Sequence, residues 1–325
     1  MIALVTGGAG FIGSHLVEAL LARGYDVHVL DNLATGAGEN LAHLRTNPRL
    51  RVTVDSILND GVIDRAVAEA DVVFHLAAAV GVKWVLDNPL ASLETNIRGT
   101  DLVLAAADRH RRPVLIASTS EVYGKNDSGP LREDDDRILG SSRLSRWWYA
   151  TAKAADEALA SAYWQERQLS TIAVRFFNTI GPRQRGRYGM VVPRFIGQAL
   201  RHEPITVYGD GQQTRCFTYV EDVVRCVIAL TECENAWGEV FNVGRPDEIS
   251  IAELAHRVIE LTGSRSEVVY VPYAEAYGTG FEDMRRRIPD VTKLRRAIGY
   301  APDTPLVVAL QRIIAAFAAN PAAVS

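Results

Sequence analysis

The chain has 325 residues, enough for one large α/β domain or two domains of ordinary size. With 48% apolar residues, 23% charged residues and a net charge of −4, it has the composition of a globular protein and no basic character that would favour nucleic acid as a partner. No apolar run reaches the roughly 20 residues that a membrane span needs, and a strand-like segment from Ile2 leaves no place for a signal peptide. Because Cys216, Cys226 and Cys233 fit neither a zinc pattern nor a disulfide framework, we expect a cytoplasmic protein with reduced thiols.

Short runs rich in Val, Ile and Leu alternate with helical stretches through the first half of the chain. The predicted strands are 2–6, 26–30, 50–54, 71–76, 113–119 and 171–178. The predicted helices between them are 11–23, 60–69, 89–109 and 147–168. Continuous apolar strands are typical of a parallel sheet covered on both faces, so this alternation predicts an α/β fold with a doubly wound parallel sheet.

The second half is less regular and contains more Gly and Pro, which is typical of loops. Here we predict a helix, a strand and two further helices, at 221–231, 239–243, 250–262 and 305–319, followed by a frayed tail at 320–325. No repeat or low-complexity linker separates the two halves, so we expect the second to pack tightly on the first.

A glycine-rich segment, 6–14, joins the first predicted strand to the first predicted helix. In this context Gly7 permits a tight turn, Gly10 lets the backbone approach a pyrophosphate, and Gly13 allows the helix to pack closely on the sheet. The diphosphate would then lie against unpaired N–H groups at the start of a helix. The position between strand and helix favours a dinucleotide site over a glycine-rich turn without a ligand.

Asp31 ends the second strand, where an acid can hydrogen-bond the ribose hydroxyls of a dinucleotide. Residues 32–44 include no Lys or Arg that could receive a 2′-phosphate. This combination favours NAD over NADP. The alternative is that Asp31 is an ordinary loop cap.

Tyr149 and Lys153 are four residues apart, on one face of a predicted helix. A cation near a phenol lowers its pKa and so creates a base that works near neutral pH, and Lys153 could also hold a ribose hydroxyl. On its own, such a pair is more often an exposed helix face; here it follows both a dinucleotide motif and a strand that ends in Ser-Thr-Ser. We interpret the neighbouring Trp147 and Trp148 as packing residues.

Several motifs together resemble the extended short-chain dehydrogenase/reductases that remodel nucleotide sugars, and the resemblance covers nearly the whole chain. The motifs are Thr-Gly-Gly-Ala-Gly-Phe-Ile-Gly (6–13), His-Leu-Ala-Ala (75–78), Thr-Ser-Glu-Val-Tyr-Gly (119–124), Tyr149 with Lys153, Arg-Phe-Phe-Asn-Thr-Ile-Gly-Pro-Arg (175–183), Val-Tyr-Gly-Asp-Gly (207–211) and Arg-Ile-Pro-Asp (287–290). The resemblance implies a Rossmann domain at 1–178, rejoined by about 214–245, and a smaller nucleotide-sugar-binding domain made of 179–213 and 246–325. It also implies a retained NAD, a nucleoside diphosphate sugar as substrate, and a homodimer built on the helices 89–109 and 147–168.

The same resemblance assigns site residues. Thr119 matches the hydroxyl that binds the sugar O4, Tyr149 the base and Lys153 its partner. The cofactor-binding positions are Gly7, Gly10, Phe11, Ile12, Gly13, Asp31, Asn32, Ala77, Tyr149 and Lys153. The substrate-binding positions are Thr119, Asn178, Arg215 and Arg287. No metal is implied, and we interpret the acidic run 133–136 as a solvated loop.

The reaction depends on the groups that accompany this base. Family members share a first step in which the base takes the O4 proton while hydride leaves C4 for NAD. The motifs that contain Glu121 and Arg287 resemble those of UDP-glucuronate decarboxylases. In these enzymes, oxidation at C4 creates a β-keto acid that loses carbon dioxide. The resemblance implies that Glu121 acts near C5 and the ring oxygen and that Arg287 assists protonation at C5. We therefore predict a UDP-glucuronate decarboxylase. A 4-epimerase acting on UDP-glucuronate or UDP-glucose is the main alternative, a 4,6-dehydratase a lesser one, and the choice between uracil and thymine stays open.

A binding module is a further alternative. An NAD-sensing Rossmann protein without catalysis would typically have lost the Tyr149 and Lys153 pair, which is intact here.

Overall fold

A parallel sheet of seven strands forms the centre of the computed structural model, which describes residues 1–81, 87–186, 190–277 and 284–319. The strands in chain order are β1 (Ile2–Thr6), β2 (Asp26–Asp31), β3 (Leu50–Val54), β4 (Val72–His75), β5 (Val114–Thr119), β6 (Pro130–Leu131), β7 (Thr171–Phe176), β8 (Thr179–Ile180), β9 (Ile205–Tyr208), β10 (Thr214–Cys216), β11 (Thr218–Tyr219), β12 (Val240–Val243), β13 (Glu248–Ser250), β14 (Val268–Val271) and β15 (Ile288–Pro289). The central sheet has the order β12-β7-β5-β4-β1-β2-β3. The chain therefore builds outward from β1 in one direction and then in the other, which confirms the predicted doubly wound fold.

Helices cover both faces of this sheet. In chain order they are α1 (Phe11–Ala22), α2 (Asp60–Glu69), α3 (Pro89–Leu93), α4 (Gly99–His110), α5 (Trp148–Arg167), α6 (Val191–Leu200), α7 (Val220–Thr231), α8 (Ile251–Thr262), α9 (Tyr273–Tyr277), α10 (Thr292–Ile298) and α11 (Leu306–Ala319). Among the described residues, no helix combines the length and the apolarity needed to cross a bilayer.

Two apolar clusters hold the layers together, one on each face of the sheet. Leu16 and Leu20 of α1 are fully buried in the first cluster, which continues into α6, α7, α8 and α11. Val103 of α4 and Val67 of α2 are fully buried in the second, against the opposite face. Each such side chain contributes about 1.5–3 kcal/mol through burial. Because the first cluster includes residues from both halves of the chain, the second half packs on the first as predicted.

The predicted helix 89–109 is interrupted in the structure. A π-helical turn, Glu94–Arg98, separates α3 from α4. In this turn the buried Asn96 side chain accepts a hydrogen bond from the backbone N–H of Ala79 and donates one to the Ala79 carbonyl. The wider turn lets Asn96 face the loop after β4, a use of π-bulges that periodicity in the sequence does not reveal.

The second half contains more regular structure than the sequence predicted. The predicted helices and strand appear as α7, β12, α8 and α11. Among the described residues, α6, α9, α10 and four two-stranded sheets (β6–β15, β8–β11, β9–β14 and β10–β13) were not predicted. The predicted strand 171–178 also ends earlier, at Phe176. Strand β12 pairs with β7 in the central sheet. The division into two domains stays a prediction, and the predicted frayed tail, 320–325, lies outside the described residues.

Candidate active site

The carboxyl ends of the central strands open into a cleft of about 710 Å³. In doubly wound sheets this edge, near the point where the strand order reverses, is where ligands bind. The cleft is lined by all the site residues proposed from the sequence, namely Gly7, Gly10, Phe11, Ile12, Gly13, Asp31, Asn32, Ala77, Thr119, Glu121, Tyr149, Lys153, Asn178, Arg215 and Arg287. The fold thus brings the predicted residues together, while their individual roles stay predictions.

The glycine loop at the start of α1 is too closely packed to accept side chains. Gly7 has a φ of +72°, and a Cβ there would lie 2.7 Å from the backbone nitrogen of Ala77. A Cβ on Gly13 would lie 2.1 Å from the carbonyl oxygen of Gly7. Such a bare backbone at a helix N-terminus, facing the cleft, fits the pyrophosphate of NAD.

Asp31 holds the glycine loop and faces the cleft. One carboxylate oxygen accepts a hydrogen bond from the N–H of Ala9 at 2.9 Å, and the other accepts one from the N–H of Leu33 at 2.8 Å. Burial raises the pKa of Asp31, although both N–H groups act in the opposite direction. Because each carboxylate oxygen can accept a second hydrogen bond, the role of loop cap and the predicted role in ribose binding are compatible.

Tyr149 and Lys153 lie on α5, but Lys153 has a partner that the sequence analysis did not consider. The Lys153 side chain is only 2% exposed, and its Nζ donates to Oδ2 of the buried Asp156 at 3.0 Å. Burial and the negative charges of Glu121 and Asp156 raise the pKa of Tyr149. The pKa of Tyr149 is therefore raised overall rather than lowered as expected from Lys153, whose ammonium is in contact with the Asp156 carboxylate.

Glu121 forms an ion pair at the edge of the same cleft. Arg146 Nη1 donates to Glu121 Oε2 at 2.6 Å, and the backbone N–H of Glu121 donates to the Thr119 hydroxyl oxygen at 3.2 Å. Burial raises the pKa of Glu121, but the positive charges of Arg146, Arg287 and Arg215 outweigh it, so the pKa is lowered overall. Glu121 is therefore a carboxylate at neutral pH.

Arg146 was not among the site residues predicted from the sequence. Its guanidinium lies 5.3 Å from the ring centroid of Trp147, which is almost fully buried and so has the structural role predicted for it. Arg146 lies in the short 3-10 turn Ser145–Trp147 before α5, so helical spacing in the sequence does not reveal its contact with Glu121.

Asn178 connects Arg287 to the strand β10. Arg287 Nη2 donates to Asn178 Oδ1 at 2.9 Å, and Asn178 Nδ2 donates to the carbonyl of Cys216 at 2.9 Å. Arg215 is buried and donates to the carbonyl of Thr214 at 2.7 Å. Two arginines thus face the cleft from the second half of the chain, while the predicted contact of Asn178 with a diphosphate stays a prediction.

A buried polar network fixes α5 against the sheet behind the cleft. Arg175 of β7 binds Glu157 through two hydrogen bonds of 2.9 and 2.8 Å, and Ser118 of β5 donates to Glu157 at 2.5 Å. A buried ion pair of this kind is costly to break from one side, by about 3–5 kcal/mol. The network therefore holds the helix that carries Tyr149 in one position relative to Thr119.

Residues 3–244 match the family model described as the NAD dependent epimerase/dehydratase family. The chain belongs to this family. It is 45% identical to a UDP-N-acetyl-alpha-D-glucosaminuronate decarboxylase of Bacillus cytotoxicus over 92% of each chain. It is 36% identical to UDP-glucuronic acid decarboxylase 1 of Arabidopsis thaliana, over 97% of this chain and 69% of that protein.

Among solved structures, the UDP-glucose 4-epimerase of Thermotoga maritima with UDP-glucose is 33% identical, with a TM-score of 0.88 over 99% of this chain and 100% of that one. The family membership and the predicted type of enzyme, an NAD-dependent nucleotide-sugar enzyme similar to decarboxylases, are confirmed by these comparisons. Epimerases share the fold, so the fold by itself does not separate the two reactions.

Proposed function

We propose that this protein is an NAD-dependent decarboxylase of a UDP-linked hexuronic acid. The observation that carries the proposal is the ion pair of Glu121 with Arg146 beside Tyr149, in a cleft that Arg215 and Arg287 also line. A uronic acid brings a sugar carboxylate in addition to its diphosphate, and guanidinium groups suit both. The similarity to two decarboxylases supports the same reaction.

The residues of the cleft fit the first step, oxidation at C4. Bound NAD supplies the hydride acceptor. Tyr149 takes the proton from the sugar O4, and the Thr119 hydroxyl, which already accepts the N–H of Glu121, has its own O–H to donate to that oxygen. The product is a 4-keto hexuronic acid.

The second step is loss of carbon dioxide from this β-keto acid. The C5–C6 bond breaks, its electron pair forms the C4–C5 enolate with the negative charge on O4, and C5 then takes a proton from water, which leaves a 4-keto pentose. Thr119 and Tyr149, which face O4, stabilise the negative charge that develops there. The ionised Glu121 repels a neighbouring substrate carboxylate, and this repulsion disappears when the carboxylate leaves as neutral carbon dioxide.

Two sugar acids are candidates, UDP-glucuronate and UDP-N-acetylglucosaminuronate, since both occur in the names of the similar decarboxylases. The purified protein is incubated with NAD and each compound in turn, and the products are analysed by mass spectrometry. Loss of the mass of one carbon dioxide is expected from at least one of them. An isomer of unchanged mass, or conversion of UDP-glucose into UDP-galactose, would establish a 4-epimerase and overturn the proposal.

We also propose that NAD is preferred over NADP. The carboxylate of Asp31 lies at the end of β2 and lines the cleft, where the 2′-phosphate of NADP would meet a like charge. Titration is expected to show weaker binding of NADP than of NAD, and Asp31→Asn should reduce this difference in affinity. Equal or tighter binding of NADP by the parent protein would contradict this assignment.

A homodimer through α3, α4 and α5 is proposed as the working assembly. Val103 and Ala106 of α4 are buried in their own domain, whereas Leu90 of α3 is 77% exposed and Ile97 of the π-helical turn between the two helices is 37% exposed. These two apolar side chains support a second contact surface. Light scattering at micromolar concentration should give a dimer that Ile97→Asp weakens; a monomeric parent protein would rule the dimer out.

The reaction is proposed to take place in the cytoplasm. Cys216, Cys226 and Cys233 are all free thiols in the structure, which supports a reducing compartment. Cell fractionation tests this location, and recovery of the protein outside the cytoplasmic fraction would contradict it.

A further inference from the structure

Asp156 is a buried carboxylate at the catalytic helix to which no role has been assigned. Tyr149, Lys153 and Asp156 follow each other at spacings of four and three residues, which places them along one face of α5. Asp156 is fully buried, and its Oδ2 accepts the Lys153 ammonium at 3.0 Å. Burying a carboxylate costs free energy even when it is paired with an ammonium, and such a pair often adds little to stability. The buried Asp156 carboxylate therefore suggests a role other than stabilising the fold.

We propose that Asp156 is a positioning residue that holds the Lys153 ammonium and, by offsetting its charge, sets the pH at which Tyr149 becomes an active base. This proposal rests on the assignment of Tyr149 as the base. Without a carboxylate partner, the Lys153 ammonium would strongly favour the phenolate form of Tyr149. Paired with a carboxylate at hydrogen-bond distance, the ammonium favours it much less.

The other charged groups near Tyr149 do not replace Asp156 in this role. Glu121 faces Tyr149 from the turn after β5, but it is an anion already paired with Arg146. On β4, burial and the nearby charge of Lys153 lower the pKa of His75 to about 3, so this ring is neutral.

The remaining neighbours lie further from Lys153. Glu157, next to Asp156 in sequence, is paired with Arg175 of β7. Arg215 and Arg287 face the cleft from the second half of the chain and act on Glu121. Asp156 is thus the anion in direct contact with Lys153.

The direction of the effect follows from these charges. Asp156→Asn keeps the shape of the side chain and removes its negative charge, so the Lys153 charge acts on Tyr149 without compensation. An opposite charge within about 4–6 Å lowers the pKa of an acid by about 1–3 units. We therefore expect the pKa of Tyr149 to fall by about one unit or more in this variant.

Two measurements on the NAD-loaded protein test the proposal. The first is the titration of tyrosinate by ultraviolet absorbance. Subtracting the titration of Asp156→Asn with Tyr149→Phe from that of Asp156→Asn isolates the signal of Tyr149. The second is the pH profile of NADH formation in a single turnover with excess UDP-glucuronate or UDP-glucose. On the acid limb, a fall of one unit appears as about a tenfold faster reaction at a given pH.

Matched variants keep these measurements decisive. Asp156→Glu restores the charge and should move the profile back towards that of the parent protein. Glu166→Gln, which removes an exposed carboxylate from the same helix, should leave the pKa of Tyr149 unchanged. If Asp156→Asn does not fold, Asp156→Ser removes the same charge. If the pKa of Tyr149 is unchanged in the variants that lack the Asp156 charge, or changes equally in Glu166→Gln, the proposal is overturned. Because the tyrosinate titration needs no substrate, it remains informative even if the decarboxylase assignment fails.

Discussion

Tyr149→Phe is expected to lower the rate of NAD reduction by about 10²–10⁴-fold, the range that a general base typically contributes. The ring remains to fill the same space, and the glycine loop that fits NAD lies on a different element, α1. We therefore expect NAD binding and thermal stability close to those of the parent protein. Single-turnover absorbance of NADH measures the rate, and NAD titration measures binding.

The pH dependence of this step has a defined sign. Because burial and the charges of Glu121 and Asp156 raise the pKa of Tyr149, the phenol is protonated at neutral pH in the structure described here. The rate of C4 oxidation should consequently rise with pH as the phenolate fraction increases. A rate that falls between neutral and alkaline pH, before the protein unfolds, would speak against Tyr149 as the base.

Tyr163→Phe is the matched control for Tyr149→Phe. Tyr163 lies on the same helix, α5, and packs against the apolar cluster that also contains Val103 rather than lining the cleft. Loss of its hydroxyl should leave turnover unchanged. If Tyr149→Phe retained the turnover of this control, another group would have to take the O4 proton.

The sequence was sufficient for those parts of the molecule whose chemistry is local. The strands β1, β4 and β5 are short runs rich in apolar residues, and a Cβ on Gly10 or Gly13 would meet the nearby backbone of Gly7, so these features were predictable. The order of the strands and the short strand pairs of the second half depend on contacts between distant segments. Pairs such as Pro289 of β15 with Leu131 of β6 leave no periodic signal in the chain.

The residues predicted to form the site do line one cleft, but the contacts among them were not predicted. Arg287 meets Asn178 across 109 positions of sequence, and Arg146 meets Glu121 across 25, so both contacts depend on the fold. Asp156 stands only three residues from Lys153, yet its effect was missed for a different reason. Spacing indicated that Tyr149 and Lys153 are neighbours, whereas burial decides which neighbour compensates the ammonium charge.

Glu121→Gln is expected to separate the two chemical steps. The amide retains the size of the side chain but removes the negative charge that faces the substrate carboxylate, and it leaves the Arg146 guanidinium available to that carboxylate. The variant should bind a UDP-linked uronic acid more tightly and still reduce NAD. It should release carbon dioxide more slowly, by a factor of up to about 10², as expected for the loss of one electrostatic contact to the reacting group.

The measurement for Glu121→Gln compares NADH formation with carbon dioxide release in the same reaction, using UDP-glucuronate and UDP-N-acetylglucosaminuronate. Glu133→Gln is the control, since the Glu133 carboxylate accepts the backbone N–H of Asn242 outside the cleft and a Gln carbonyl can accept the same bond. An equal loss of both steps in Glu121→Gln would place Glu121 in C4 oxidation instead. If NADH formation and carbon dioxide release both kept the parent rates, the charge of Glu121 would have no part in decarboxylation. Its pairing with Arg146 would then serve only to hold the turn before α5 against the segment after β5.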